Sequence, residues 1–277
     1  MRYYITFGDE KYEKTKNFSA MMAKIFGGFD YVIAYSPSDI DEEYKNTHKD
    51  IFNIKRGYGL WLWKPYIIYK TLTEVCKDGD FLFYGDGGSF FFRNIKYIEN
   101  SMGTDKIWVS HNSLVEWQFT KKDVFDLMNC HGTNYENTAQ AQGGFMYLIK
   151  SDDTLKFVKD WLNLCENMLL LHPDNLYSKE QNVPGFISHR EDQSILSLLC
   201  KKNHIKLHQD PTQFGKYPEK YWQEGIIRVD DSYMLEYPVC IILHRTACLD
   251  INTILRQLIL TIIPRKWGLH MISYNKT

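Results

Sequence analysis

Residues 56–90 read RGYGLWLWKPYIIYKTLTEVCKDGDFLFYGDGGSF. In order they form a basic, glycine- and aromatic-rich loop, a helix opened by Pro65, and a turn at Lys77-Asp78-Gly79-Asp80. A wholly apolar strand, Phe81 to Tyr84, follows, and then a lone carboxylate, Asp86, among Gly85, Gly87 and Gly88. Proline suits the first position of a helix, where its missing N–H costs nothing. A helix N-terminus carries partial positive charge and unpaired N–H groups. With Arg56 and Lys64 beside it, that N-terminus is expected to seat a diphosphate. Trp61 and Trp63 flank the seat as core residues or as stacking partners for a base. A carboxylate at the end of an apolar strand, with no bulky neighbours, suits a hard divalent cation bridging two phosphates. A glycine-rich turn capped by aspartate is the structural alternative.

Upstream, Tyr3 to Phe7 is β-rich and buried in character, and Gly8-Asp9 ends it. Tyr12 to Phe26 carries Phe18, Met21, Met22, Ile25 and Phe26 at helical spacing. Phe29 to Tyr35 is a second apolar strand closed by Ser36-Pro37. Strand, helix, strand at this spacing is a βαβ unit, which predicts a parallel sheet. Ligands of such sheets lie beyond the strand carboxyl ends. That places Phe7, Gly8, Asp9, Tyr35 and Ser36 on the binding edge, with a helix N-cap as the plainer role for Asp9.

Downstream, Lys106 to Ser110 reads as a strand, and residues 111–142 as a long polar and aromatic loop with a short helix near 121–128. Gln142-Gly143-Gly144 leads into a buried strand ending at Ile149, and glycine there lets a ligand approach the backbone. A helix over 153–171, capped by Ser151 or Asp152, turns Leu155, Val158, Trp161, Leu162 and Cys165 to one face. After a Pro- and Gly-punctuated loop, Glu191-Asp192-Gln193 opens another helix. The loop aromatics Phe214, Tyr217, Tyr221 and Trp222 suit a wall for a sugar or an ordinary surface loop. Val239 to His244 is a last strand with Arg245 at its end. Residues 249–272 are apolar with basic punctuation and divided by Pro264, as in an amphipathic helix packed on the domain or resting on an anionic membrane surface.

The bulk numbers set the frame. The chain has 277 residues and a formal charge of -1, so no whole-molecule field points to nucleic acid. Aromatic residues make up 15%, which fits stacking against flat sugar faces as well as a packed core. The 6 cysteines form no C-x-x-C pair, and Met1 leads directly into a strand, so a reducing cytoplasmic setting is the expectation. No run reaches the ~18 apolar residues of a membrane span.

Taken together, the βαβ start, RGYGLWLWKPYIIYKTL, the strand ending in FYGDGGS, Gly143-Gly144, Glu191-Asp192-Gln193 and the late His244 resemble the GT-A-fold nucleotide-sugar glycosyltransferases. The similarity is strongest to bacterial enzymes of capsule and lipopolysaccharide synthesis, and it runs over about residues 1–250. The resemblance implies one α/β, Rossmann-like domain (1–250) with a mostly parallel central sheet flanked by helices, and a helical tail at 251–277. It implies transfer of a hexose-type sugar from a nucleotide sugar, UDP by preference, to a saccharide or lipid-linked saccharide. FYGDGGS stands in the place of the Asp-x-Asp motif but offers Asp86 alone. His244 matches the late histidine that completes the metal site, so Asp86 and His244 would hold Mn²⁺ or Mg²⁺ on the diphosphate. Phe7, Gly8, Tyr35, Arg56, Trp63, Lys64, Asp86 and Arg245 would bind the donor, with Gly143 and Gly144 lining its sugar. Asp192, with Glu191 second, is the candidate base, or a charge-stabilising group if configuration is retained.

Three other readings stand beside this one, of which a metal-dependent phosphohydrolase would normally show more carboxylates and histidines close in sequence. The solitary Asp86 suits a non-catalytic nucleotide- or carbohydrate-binding protein on the same fold. The C-x₃-H-x₃-C spacing of Cys240, His244 and Cys248 would suit zinc, although no fourth ligand is evident.

Overall fold

The computed structural model describes residues 1–178, 180–221, 224–229, 236–248 and 250–273. A six-stranded sheet runs in the order β2-β1-β3-β6-β5-β7. The strands are β1 (Arg2–Phe7), β2 (Tyr31–Tyr35), β3 (Phe81–Gly85), β5 (Ile107–Val115), β6 (Ala139–Ile149) and β7 (Leu207–His208). β1 pairs in parallel with β2 and β3, as does β5 with β7, while β6 runs antiparallel between β3 and β5. The sheet is thus mostly parallel, with one reversed strand inside it. A second, two-stranded sheet pairs β4 (Ser89–Phe91) with β8 (Ile241–Leu243).

Alternation along the strands divides the core in two. Ile5, Leu82, Tyr84, Val109, Met146 and Leu148 face one side, packed with the helices Trp63–Glu74, Asp152–Cys165 and Glu191–Lys202. Tyr4, Phe83, Trp108, Phe145 and Tyr147 face the other, under Ile95, Ile98, Met102 and Ile241. Phe83 sits among six rings, those of Tyr4, Phe29, Phe91, Trp108, Phe145 and Tyr147. Much of the high aromatic content is therefore core.

The helices that carry the argument are α1 (Glu13–Met22), α2 (Trp63–Glu74), α3 (Glu116–Phe119), α4 (Lys122–Leu127), α5 (Thr133–Glu136), α6 (Asp152–Cys165), α7 (Glu191–Lys202) and α8 (Ile251–Ile262). α6 is capped by Ser151 and buries Val158, Trp161, Leu162 and Cys165, as its spacing predicts. α1 departs from expectation. Its buried positions are Thr15, Lys16 and Ser19, while Met21, Ile25 and Phe26 are exposed. The reason is close approach to the sheet: Tyr4 Oη and Ser19 Oγ lie 2.7 Å apart, which only small side chains permit. The 153–171 segment is also not one helix, since α6 ends at Cys165 and a separate turn, Met168–Leu171, follows an Asn167 cap.

The loop before α2 holds the sharpest difference. Gly57, Tyr58, Gly59, Leu60 and Trp61 all have positive φ, between 50° and 82°. Left-handed backbone costs a non-glycine residue roughly 1–2 kcal/mol. Packing offsets that cost: Leu60 is fully buried and Trp63 Nε1 donates to the Gly57 carbonyl at 2.8 Å. A Cβ at Gly57 would lie 2.4 Å from the Trp61 ring, so this position requires glycine. α2 begins at Trp63, two residues before Pro65, so Lys64 lies inside its first turn.

Candidate active site

β1, β2 and β3 all end at one edge of the sheet, at Phe7, Tyr35 and Gly85. Because β6 runs the other way, its early residues reach the same edge, and Asp86 N donates to the Gly144 carbonyl at 3.0 Å. The left-handed turn and the start of α7 close the sides. Between them lies a cleft of about 640 Å³.

Of the predicted site residues, Phe7, Gly8, Arg56, Trp63, Asp86, Gly144 and Arg245 line this cleft. Phe7 stacks on Trp63 with ring centroids 3.9 Å apart. Asp9 lines the cleft and also accepts from Tyr12 N, so both of its expected roles coexist. Five cations, Lys11, Lys55, Arg56, Arg190 and Arg245, line the cleft against two carboxylates, Asp9 and Asp86. That excess favours an anionic ligand such as a diphosphate.

Other predicted residues lie behind the cleft wall. Tyr35 is buried with its hydroxyl 3.0 Å from Thr71 Oγ1. Lys64, only 4% exposed, places Nζ 3.0 Å from Asp192 Oδ2, 3.6 Å from Asp86 Oδ1 and 3.0 Å from the Gly143 carbonyl it donates to. It ties three chain segments together from beneath instead of lining the cleft. Asp192 and Glu191 are each 3% exposed. Burial pushes the Asp192 carboxyl up to about 7, against the pull of Lys64. Glu191 accepts from Arg56 Nε at 2.6 Å and is held at a φ of 39°. Burial raises its pKa, while Arg56 opposes the rise. Strain of this kind gathers at functional sites.

The helix N-terminus is less open than the sequence suggests. The N–H groups of Leu62 and Lys64 donate to the carbonyls of Gly59 and Trp61, at 3.0 and 2.9 Å, and Pro65 has none. The left-handed turn folds back over the first turn of α2, so the side-chain cations carry the anion-binding capacity.

Asp86 fits a cation only in part. Tyr84 Oη donates to its Oδ1 at 2.5 Å, which leaves Oδ2 beside Gly144. His244 N and Arg245 N both donate to the Gly88 carbonyl, so the backbone of this segment lies against the Asp86 turn. His244 is not a cleft-lining residue, but its Nε2 is buried without a protein hydrogen-bond partner, and burial lowers its pKa, keeping the imidazole neutral. These donors fit a cation held chiefly by a diphosphate. Among the described residues no three His, Cys, Asp or Glu side chains cluster to hold a metal. Cys240 is buried with Sγ toward the Pro238 carbonyl and Cys248 is exposed, so the C-x₃-H-x₃-C spacing assembles no such cluster.

The expected aromatic wall changes as well. Tyr217 is fully buried and its hydroxyl donates to the Leu260 carbonyl, while Phe214 lies 4.8 Å beneath the Arg245 guanidinium. Trp222 lies outside the described residues. Sequence reasoning missed Lys11, Tyr12, Lys55, Asn112, Arg190 and Gln193 on the cleft lining. Lys55 and Arg190 adjoin Arg56 and Glu191 in sequence, and that adjacency was their only signal.

The architecture is that of the GT-A-type glycosyltransferases. An active-site mutant of LgtC superposes with a TM-score of 0.51 over 96% of this chain and 99% of that one, at 14% identity. Mouse xyloside xylosyltransferase 1 gives 0.47 over 91% and 99%, at 9% identity. The glycosyltransferase GlyE of Streptococcus pneumoniae gives 0.44 at 11% identity, and this chain spans 64% of that chain. No protein-family profile and no curated protein matches the sequence.

Proposed function

We propose that the protein is a glycosyltransferase that moves a hexose-type sugar from a UDP-sugar to a hydroxyl of a saccharide or lipid-linked saccharide in surface polysaccharide synthesis. The observation that carries this reading is the cationic cleft built over Asp86 at the carboxyl ends of β1 and β3, on a GT-A fold. Departure of a nucleoside diphosphate places negative charge where Arg56, Arg190 and Arg245 line the cleft, and fixed cations there lower the barrier. Phe7 and Trp63, buried and stacked on each other, form an apolar part of the cleft wall. Gly144, whose Cβ would lie 3.1 Å from Asp86 Oδ2, leaves room for that carboxylate at the cleft wall.

Asp192 acts, in this reading, from behind the cleft wall, fixing Gly143 through Lys64, while Glu191 anchors Arg56. A divalent cation would be held by Asp86 Oδ2 and His244 Nε2 and would neutralise the leaving diphosphate. A thermal-shift screen of UDP-, GDP- and CMP-sugars, with and without Mn²⁺, tests the proposal. A folded protein that responds to no donor refutes it.

The solitary Asp86 supports a second reading, a binding protein on the same fold. Nucleotide-sugar hydrolysis by the wild type, lost in Asp86→Ala, would decide for the enzyme. Donor binding without turnover would decide for the binding protein.

No helix among the described residues is long and apolar enough to cross a membrane. α8 docks through its end, where Lys216 Nζ donates to the carbonyls of Leu260, Thr261 and Ile263. Ile251, Leu255, Ile259 and Ile262 form an exposed row along it, near exposed Lys266. This supports docking on an anionic membrane surface. Co-sedimentation with phosphatidylglycerol vesicles, absent with neutral ones, is the expected result.

A further inference from the structure

A second cavity, of about 320 Å³, lies between α4, α5 and the segment 182–184. Its apolar walls are the flat groups Trp117, Phe125 and Pro184, with Val183. Its polar residues are Asp126, Glu136, His131 and Asn182, with Lys122 and Thr120. These groups are held in place. Lys122 Nζ lies 3.1 Å from Asp126, and His131 Nε2 lies 3.6 Å from it. Glu136 Oε1 accepts from Gly132 N at 3.1 Å. Asn182 Oδ1 accepts from Lys122 N at 2.8 Å, so the group it offers a ligand is its NH₂ donor. A carboxylate has room for about four hydrogen bonds, so Asp126 and Glu136 retain acceptor capacity.

The lining selects a ligand class. Two carboxylates face one ammonium and one imidazole, so no strong net charge favours an anion or a cation. The accessible lining is mostly apolar, with a few polar groups, so a ligand that has both an apolar face and hydrogen-bonding groups matches it better than a charged one. A sugar ring presents apolar C–H faces and an edge of hydroxyls, matching flat aromatic walls and planar polar groups. The size suits one or two such rings.

We propose that this cavity is a neutral-saccharide binding site, with a ring stacked on Trp117 and its hydroxyls paired to Asp126, Glu136 and His131. The site is separate from the nucleotide cleft but connected to it. Gln118, next to Trp117, donates through Nε2 to the Gly185 carbonyl, and its backbone carbonyl accepts from Ile187 N at 2.8 Å. The same strand of chain reaches the cleft at Arg190. The proposal does not rest on the transferase reading.

The test is ligand-detected NMR with lactose, cellobiose and N-acetylglucosamine, in the absence of nucleotide. At least one should bind saturably in the millimolar range. Trp117→Ala should weaken it about tenfold, the scale of one aromatic stacking contact. His131→Ala, at a side chain 54% exposed, should weaken it measurably without lowering Tm, which keeps the test open if Trp117→Ala does not fold. Asp86→Ala should leave it unchanged. Absence of binding by all three sugars, equal binding in the Trp117 and His131 variants, or loss in Asp86→Ala alone would overturn the proposal. Thermal shift with UDP reports the cleft separately.

Discussion

The two cavities are built from the same materials and sorted by charge. The larger one gathers five cations around Asp9 and Asp86 and has a buried lysine behind its wall. The smaller one balances its charges and relies on flat apolar groups. The two linings differ in how charge is distributed over them, not in aromatic content, much of which is core.

The contrast can be broken most forcefully at Lys64. Replacing it with methionine leaves Asp192 and Asp86 without their shared cation. Loss of one partner of a buried pair is expected to cost about 3–5 kcal/mol, read by urea denaturation. Asp192→Asn in the same chain should recover part of that loss. Unchanged stability in Lys64→Met would mean that the brace is not formed.

Asp86→Ala should come next in size. Under the proposed transferase reading, removing the only carboxylate of the FYGDGGS turn is expected to lower turnover by about 10²–10³-fold, the scale of a preorganised electrostatic group. Saccharide binding at the second cavity should be untouched.

Asp192 gives a pH signature confined to the first cavity. Burial pushes its carboxyl up to about 7, well above the ordinary aspartate value. The folded state therefore binds an extra proton over a window from about 4 to 7. Stability should fall as pH rises through that window and level off above it. If Asp192 works as an anion, turnover should fall about tenfold per unit below 7. A flat profile that is identical in Asp192→Asn would remove Asp192 from the chemistry.

The smallest expected effect is the most selective one. Trp117→Ala should leave the UDP thermal shift within error of the wild type. A lost UDP response in a folded variant would merge the two cavities into one site.

Much of the fold was legible in the sequence because burial imposes a period. β1, β2 and β3 sit where apolar runs placed them, and α6 buries the face its spacing marks, but the expected loop over 111–142 instead holds the end of β5, three short helices and the start of β6. α1 misled because it meets the core through Thr15, Lys16 and Ser19, which leaves Met21 in solvent. The cleft was legible in part. Arg56, Asp86 and Gly144 announced themselves beside glycine and strand ends, but Lys11 and Arg190 look in sequence like ordinary surface charges. β4 was also missed, since three residues hold no period and exist as a strand only through pairing with β8.

The sequence by itself determined the longer apolar strands, the glycine-flanked Asp86 and the basic, aromatic approach to it, because each is set by local pattern or by the absence of a side chain. Only the tertiary structure decided what each charge does. Lys64 reads as a ligand-binding cation beside Arg56, yet the antiparallel β6 and the start of α7 bring Gly143 and Asp192 over it and enclose it. The role of a titratable side chain depends on which distant segments remove it from water, and that information is not local.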